Sequence, residues 1–237
     1  MGPLARSVAC CALLDGIISG EENPEAPAPR PVAGLRLGLP RGTFLTEDMD
    51  PAVSAAFTRA LSRLALAGAR IEMFDLPELA EIPLVNAAGG FTASEAWAWH
   101  RGLIARKREG YDPRILARIQ RGERMTAADY IDLLQARARI IAAVARRTAP
   151  FDAVIGPTCP IIPPAIAEVA AEADYNRINL LLLRNTAVGN FLDRCSISLP
   201  IHRPGEAPVG LMLTGEAMAD AALLRTASAV EAALAEA

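Results

Sequence analysis

The chain's chemistry-bearing residues gather most suggestively in one stretch, Phe151-Asp-Ala-Val-Ile-Gly-Pro-Thr-Cys-Pro160, where a short apolar run stops on Gly156, Pro157 and a second proline. A run of that kind between such punctuators reads as a buried strand opening into a stiff loop, and in open α/β sheets ligands sit beyond strand ends. Thr158 and Cys159 therefore stand where a pocket is expected. A cysteine there serves as a nucleophile only beside a general base, and no base is paired with Cys159 in sequence; a buried thiol is the plainer reading. Asn190 also falls in a loop near strand ends, where pocket contacts concentrate.

Other candidates have weaker settings. The only lysine, Lys107, is followed by Arg108 and Glu109, a charged run typical of a solvated helix end. His100 follows Trp97 and Trp99 and suits an acid or base in a pocket wall, but a lone histidine after aromatics more often packs or faces solvent; the same holds for His202. Trp97 and Trp99 would either wall an acyl pocket or complete a core. The four cysteines, Cys10, Cys11, Cys159 and Cys195, show no CxxC spacing and no neighbouring histidine. They are read as reduced, mostly buried thiols, with no metal site, disulfide framework or cofactor implied.

With 237 residues, 52% hydrophobic and 22% charged, the chain is long enough and apolar enough for an extensive core. A net charge of -3 without a basic block leaves no electrostatic footprint for nucleic acid, and no apolar run reaches membrane-spanning length. No signal-peptide pattern is seen, so a cytoplasmic, small-molecule-directed protein is expected.

The elements that would position these residues follow in order. Leu4, Val8, Ala12 and Leu13 form the stripe of a core-facing helix ending before Gly20. Residues 21–34, with their prolines and glutamates, read as a surface linker. A strand at Leu35 to Leu39, a helix capped by Asp50-Pro51 with Val53, Phe57, Leu61 and Leu64 on one face and a stop at Gly68, and a strand at Arg70 to Phe74 make a βαβ unit. Residues 77–148 read as mainly helical. Thr126 and Asp129 form a near capping box before a helix with Tyr130, Leu133, Leu134, Ile141 and Val144 on its apolar side. A helix from Arg177 to about Thr186, strands Ser196 to Ile201 and Val209 to Leu213 around a turn at Pro204-Gly205, and a last helix from Asp220 complete the chain.

Several of these segments carry a resemblance. Gly2-Pro-Leu-Ala-Arg-Ser-Val-Ala-Cys-Cys-Ala-Leu-Leu is similar to a helix of the amidase signature family, departing at Cys10 where that family usually has aspartate. The Asp152 to Pro160 segment, Leu35-Arg-Leu-Gly-Leu-Pro, and Asn185-Thr186 through Asn190-Phe, Ser196-Ile-Ser-Leu-Pro200 and Pro208-Val-Gly-Leu-Met-Leu-Thr-Gly215 resemble the same family in its own order. The resemblance implies an α/β fold, the amidase signature α/β/α sandwich with a mixed sheet of about five strands, occupying residues 1–237 as the family's C-terminal region.

It also implies an activity, hydrolysis of carboxylic amides by one serine with a second serine and a lysine relaying protons. In complete members those three residues precede the helix that here begins near residue 2. The expectation is therefore an amide hydrolase by descent, as a truncated or split chain with no catalytic residue of its own. The rival is a noncatalytic binding or interaction module derived from an amidase. By resemblance to the glutamine-using members of the family, the amidotransferases, Arg137 is the candidate to hold a substrate carboxylate, a task suited to a bidentate guanidinium, with a surface arginine on an amphipathic helix as the equal alternative. The aspartate with which those members bind the glutamine amine falls near Leu183, which argues against glutamine. Arg137, Thr158, Cys159, Asn190 and Trp97 thus form the expected substrate-binding set. The expected partners are a small-molecule amide once the missing half is supplied, and a further copy or a partner chain, with no nucleic acid and no membrane.

Overall fold

The computed structural model describes residues 2–28 and 30–235. They divide into two compact units, one of residues 1–76 with 145–237 and one of residues 77–144.

The first unit is built on a five-stranded sheet. After helix α1 (Val8–Ser19) come β1 (Arg36–Arg41), α2 (Pro51–Leu66) and β2 (Arg70–Asp75), which pairs parallel to β1 in register from Arg36 with Arg70 to Arg41 with Asp75. The second unit interrupts the chain with α3 (Glu81–Val85), α4 (Gly90–Lys107), α5 (Pro113–Gln120) and most of α6 (Ala127–Thr148). The sheet resumes with β3 (Ala153–Pro157), then α7 (Glu172–Leu183), α8 (Thr186–Leu192), β4 (Ser196–Pro200), β5 (Gly210–Thr214) and α9 (Asp220–Ala235). The strand order is β2-β1-β3-β5-β4, with β3 parallel to β1 and antiparallel to β5. The sheet is mixed, and β3 stands at its centre where strand direction reverses.

Local chemistry explains the boundaries. The Asp50 carboxylate accepts from Ala52 N at 2.7 Å and Pro51 occupies the first turn of α2, so the donors left over at a helix start are reduced by one bond and one missing N–H. Gly20 ends α1 in the left-handed conformation at φ 83°, which only glycine adopts without strain. At Gly38 a Cβ would lie 2.6 Å from a ring carbon of Phe151, so β1 needs glycine for that ring to pack on it. Beneath the sheet, Leu37, Leu64, Ile155, Leu211, Leu213 and Val230 are fully buried. The Arg194 side chain, 4% exposed, donates to Glu216 at 2.8 Å, and Glu216 also accepts from Thr148 Oγ1 at 2.9 Å. This pins the end of α6 and the approach to β4 to the segment after β5.

Several sequence expectations need correction. Leu4 precedes α1 and is 99% exposed, and Leu13 is exposed as well; Val8, Ala12 and Gly16 are the buried line. Segment 21–34 is mostly exposed, but it is anchored by the buried Val32 and by Arg30, which donates to Thr226 Oγ1 at 3.0 Å. The helix expected from Arg177 to about Thr186 starts earlier, as α7 from Glu172 to Leu183, and a second helix, α8, which was not expected, follows Arg184-Asn185. Of the cysteines, Cys10 is exposed and the others are half-buried, all free thiols.

The helical unit has its own apolar centre, in which Ile104, Leu116 and Ile119 are joined by Ala96, Trp97 and Tyr111. Asp112 caps α5 through Arg114 N at 2.8 Å, with Pro113 next. Thr126 Oγ1 accepts from Asp129 N at 3.2 Å while Asp129 Oδ2 accepts from Thr126 N at 2.9 Å, the reciprocal box expected for α6. On α6 the deepest residue is Ile140, whereas Leu134 is 44% exposed.

Candidate active site

The end of β3 carries Pro157, Thr158, Cys159 and Pro160 at the C-terminal edge of the parallel strands. Each turn of this loop is held by a bond to another segment. Thr158 N donates to Gly210 O at 2.9 Å, and the Thr158 and Ser198 hydroxyls lie 2.6 Å apart, joining β3 to both antiparallel strands. A Cβ on Gly210 would overlap both hydroxyl oxygens, so that close pairing requires glycine. One residue beyond Cys159, Pro160 O accepts from Asp50 N at 2.8 Å, which ties the loop to the start of α2.

The organising side chain is Asn185, wholly buried between α7 and α8. Its Nδ2 donates to Pro157 O at 2.8 Å and to Leu45 O at 3.0 Å. It thus holds the strand-end loop against the segment that follows β1. Arg184 completes the clamp, with Nε donating to Asn185 Oδ1 at 3.2 Å and Nη2 to Glu47 O at 2.8 Å. Burial lowers the Arg184 pKa below its ordinary value, against which Asp48 and Glu47 act. The result is a shelf of fixed backbone at the strand ends, suited to orienting a ligand rather than attacking it.

Of the expected binding residues, Thr158 and Cys159 lie on this shelf, and Asn190 sits exposed on α8 in the same unit. The Cys159 Sγ donates to Leu182 O at 3.4 Å, and burial pushes its pKa up, so the neutral thiol prevails. That makes it a poor nucleophile. Trp97 and Arg137 belong to the helical unit. Trp97 packs beside Ile104, Leu116 and Ile119, and the Arg137 guanidinium carbon lies 5.6 Å from the centre of the Phe91 ring, within cation–π range. His100 Nδ1 is 2.7 Å from the Tyr111 hydroxyl, and Trp99 is 73% exposed. Lys107 ends α4 exposed, as the charged run predicts.

Asn185 is the residue that sequence reasoning passes over as a site in favour of Asn190. Its signal is its place between a four-leucine run and Thr186, where an amide side chain has neither a helix interior nor a turn to explain it. Among the described residues no group of three or more His, Cys, Asp or Glu is placed to hold a metal ion, and no helix is long and apolar enough to cross a membrane.

Comparison with known proteins gives a consistent likeness. The family model described as Amidase matches residues 1–224. A 2-amino-5-chloromuconic acid deaminase from Comamonas testosteroni is 34% identical over 233 residues, covering 98% of this chain and 50% of that protein. An amidase from Pseudomonas putida is 26% identical, covering 97% of this chain and 52% of its own. Among solved structures, a crystal structure of an amidase superposes with a TM-score of 0.82 at 24% identity over 98% of this chain and 52% of that one. An allophanate hydrolase from Kluyveromyces lactis superposes with a TM-score of 0.70 at 23% identity over 90% and 35%. The α/β fold of this chain is shared by the superposed parts of these structures. The chain spans about half the length of the curated relatives it matches.

Proposed function

The chain belongs to the amidase family, and from that membership we propose that it is the substrate-orienting part of a hydrolase of carboxylic amides. In this reading the nucleophilic serine, the second serine and the lysine come from polypeptide outside these 237 residues, whether continuous with them or separate. The observation that carries it is the pairing of a family match along almost the whole chain with a length half that of the relatives. The residues agree with it. The only lysine is exposed at the end of α4, and the one thiol on the strand-end shelf is held neutral by burial. Thr158 and the Asn185 clamp would fix the wall of the site, while the attacking group and its proton relay act from the other polypeptide.

A seat for that polypeptide is offered by α1, whose outer face carries Leu13, Leu14, Ile17 and Ile18, all exposed, the last two 62% and 67%. Four large aliphatics on one helix face mark an interaction surface. The test is turnover of a panel of aliphatic and aromatic amides by the chain alone and by its mixture with a polypeptide supplying the lysine and serine segment. Turnover is expected only in the mixture, and is expected to fall when Ile17 and Ile18 are replaced by serine. Turnover by the chain alone, abolished by a serine- or cysteine-directed inhibitor, overturns the proposal.

A further inference from the structure

We propose that the helical unit holds a pocket for a small organic carboxylate, an acid with a compact apolar body. A cavity of about 210 Å³ opens between α4, α5 and the short turn of residues 121–124. Ala93, Ala96 and Ile119 form its apolar floor, and Thr92, Arg118 and Arg121 its polar rim. The cavity exists because small residues let the backbone close in at one end only. Gly122 approaches α4 so tightly that a Cβ there would overlap the Ala93 carbonyl, while the alanines of α4 leave the space toward α5 unfilled.

The two rim arginines differ from their neighbours. Arg114 is paired with Asp112 and Arg139 with Glu81, whereas among the described residues no carboxylate pairs with Arg118 or Arg121. Arg121 Nη2 donates to the Ala87 carbonyl, at 3.1 Å. Residues 77–144 hold ten Lys and Arg against eight Asp and Glu in a chain of net charge -3, so this unit concentrates the molecule's positive charge. Two guanidiniums without a carboxylate partner, set over an apolar floor, match a carboxylate head with a hydrocarbon body, since a guanidinium fork can donate two parallel N–H bonds to a carboxylate. The apolar floor favours an organic acid over inorganic phosphate, and a neutral amide would leave both guanidinium charges uncompensated. The pocket lies wholly within one unit, the one that also carries Trp97 and Arg137.

Benzoate is the probe, titrated into the full chain and followed by amide chemical shifts and by calorimetry, at low and at high salt. Benzoate is expected to move the amides of Ala93, Ala96 and Ile119, and to bind more weakly in high salt because the arginines are exposed. Arg118→Gln and Arg121→Gln are each expected to weaken it by about tenfold, the worth of one charge-assisted bond. Ala96→Phe, which fills the cavity and leaves both arginines, is expected to abolish binding. Because Arg118 and Arg121 face solvent, their substitution does not threaten the fold, and circular dichroism verifies this. Benzamide binding as well as benzoate, any of these variants titrating like the native chain, or the absence of shifts at those amides overturns the proposal.

Discussion

Replacing Asn185 by alanine removes the donor that serves both Pro157 O and Leu45 O, at 2.8 and 3.0 Å, in a position with no access to water. Each buried acceptor left without its partner costs about 1–3 kcal/mol, so the pair is expected to cost about 2–5 kcal/mol after partial relaxation. That is a large share of the roughly 5–15 kcal/mol that holds a domain folded. The assay is urea unfolding followed by far-UV circular dichroism. With a slope of about 2–3 kcal/mol per molar, the midpoint is expected to fall by about 1–2 M with the slope unchanged. Asn185→Asp keeps the shape but turns a carboxylate toward two carbonyl oxygens, so at neutral pH it is expected to be worse than alanine and to recover partly in acid, where the carboxyl can donate again. Thr186→Ala, next in sequence, removes one 3.3 Å bond at a partly exposed site and is expected to change stability by no more than about 0.5 kcal/mol. A midpoint shift for Asn185→Ala below about 0.3 M, or a milder effect of aspartate than of alanine, refutes the role assigned to this clamp.

Two further outcomes rest on the same kind of geometry. Gly210→Ala would drive a methyl into the Thr158 and Ser198 hydroxyls and is expected to cost about 1–3 kcal/mol, partly regained in combination with Ser198→Ala; equal unfolding midpoints for the native chain and Gly210→Ala would show the strands part freely there. The Asp112 carboxyl is lowered to about 2, first by its bond from the Arg114 side chain and then by the Arg114 backbone N–H; a carboxyl depressed below its unfolded value of about 3.9 contributes above that value and loses its contribution as pH falls toward 2. The protection factors of the α5 amides, which divide out the intrinsic exchange rate, are therefore expected to fall through that acid window, and Asp112→Asn to flatten the dependence; an unchanged profile in the variant contradicts it.

What could be read from the sequence was mostly local. Asp50-Pro51, Thr126 with Asp129, and Gly20 each settle a helix end with bonds made inside a few residues, and each was legible. Burial along a helix was less so. On α6 the apolar residues Ile131, Leu133, Leu134, Ile140, Ile141 and Val144 spread over more than one face, and only the packing chooses Leu133, Ile140 and Val144 over the others. The end of α7 near Thr186 was legible, but the role of Asn185 at that junction escaped because its bonds run to residues 28 and 140 positions away. At the site, the strand, the proline loop and the positions of Thr158 and Cys159 were legible from a short apolar run and its punctuation. The Asn185 clamp was not, since a side chain that serves distant carbonyls leaves no periodic trace. Arg137 was marked by resemblance alone; the structure adds that it lies on the helical-unit side of the boundary within α6, with its guanidinium over the Phe91 ring.

The insertion of residues 77–144 between β2 and β3 has a thermodynamic corollary for how this chain can diversify. The central strand meets β1 only after that whole segment has been bridged, and the entropy lost on joining the two ends of a loop grows with the logarithm of its length. Doubling the segment would add only about 0.6 kcal/mol to that loss. The sheet's register, fixed by Leu37 opposite Ala153 and Gly38 opposite Val154, is thus nearly indifferent to what the insert contains. Descendants of this chain could exchange, lengthen or trim the helices that carry Arg118 and Arg121 while the strand-end shelf stays as it is, so that a change of acid bound there need not disturb the shelf at all.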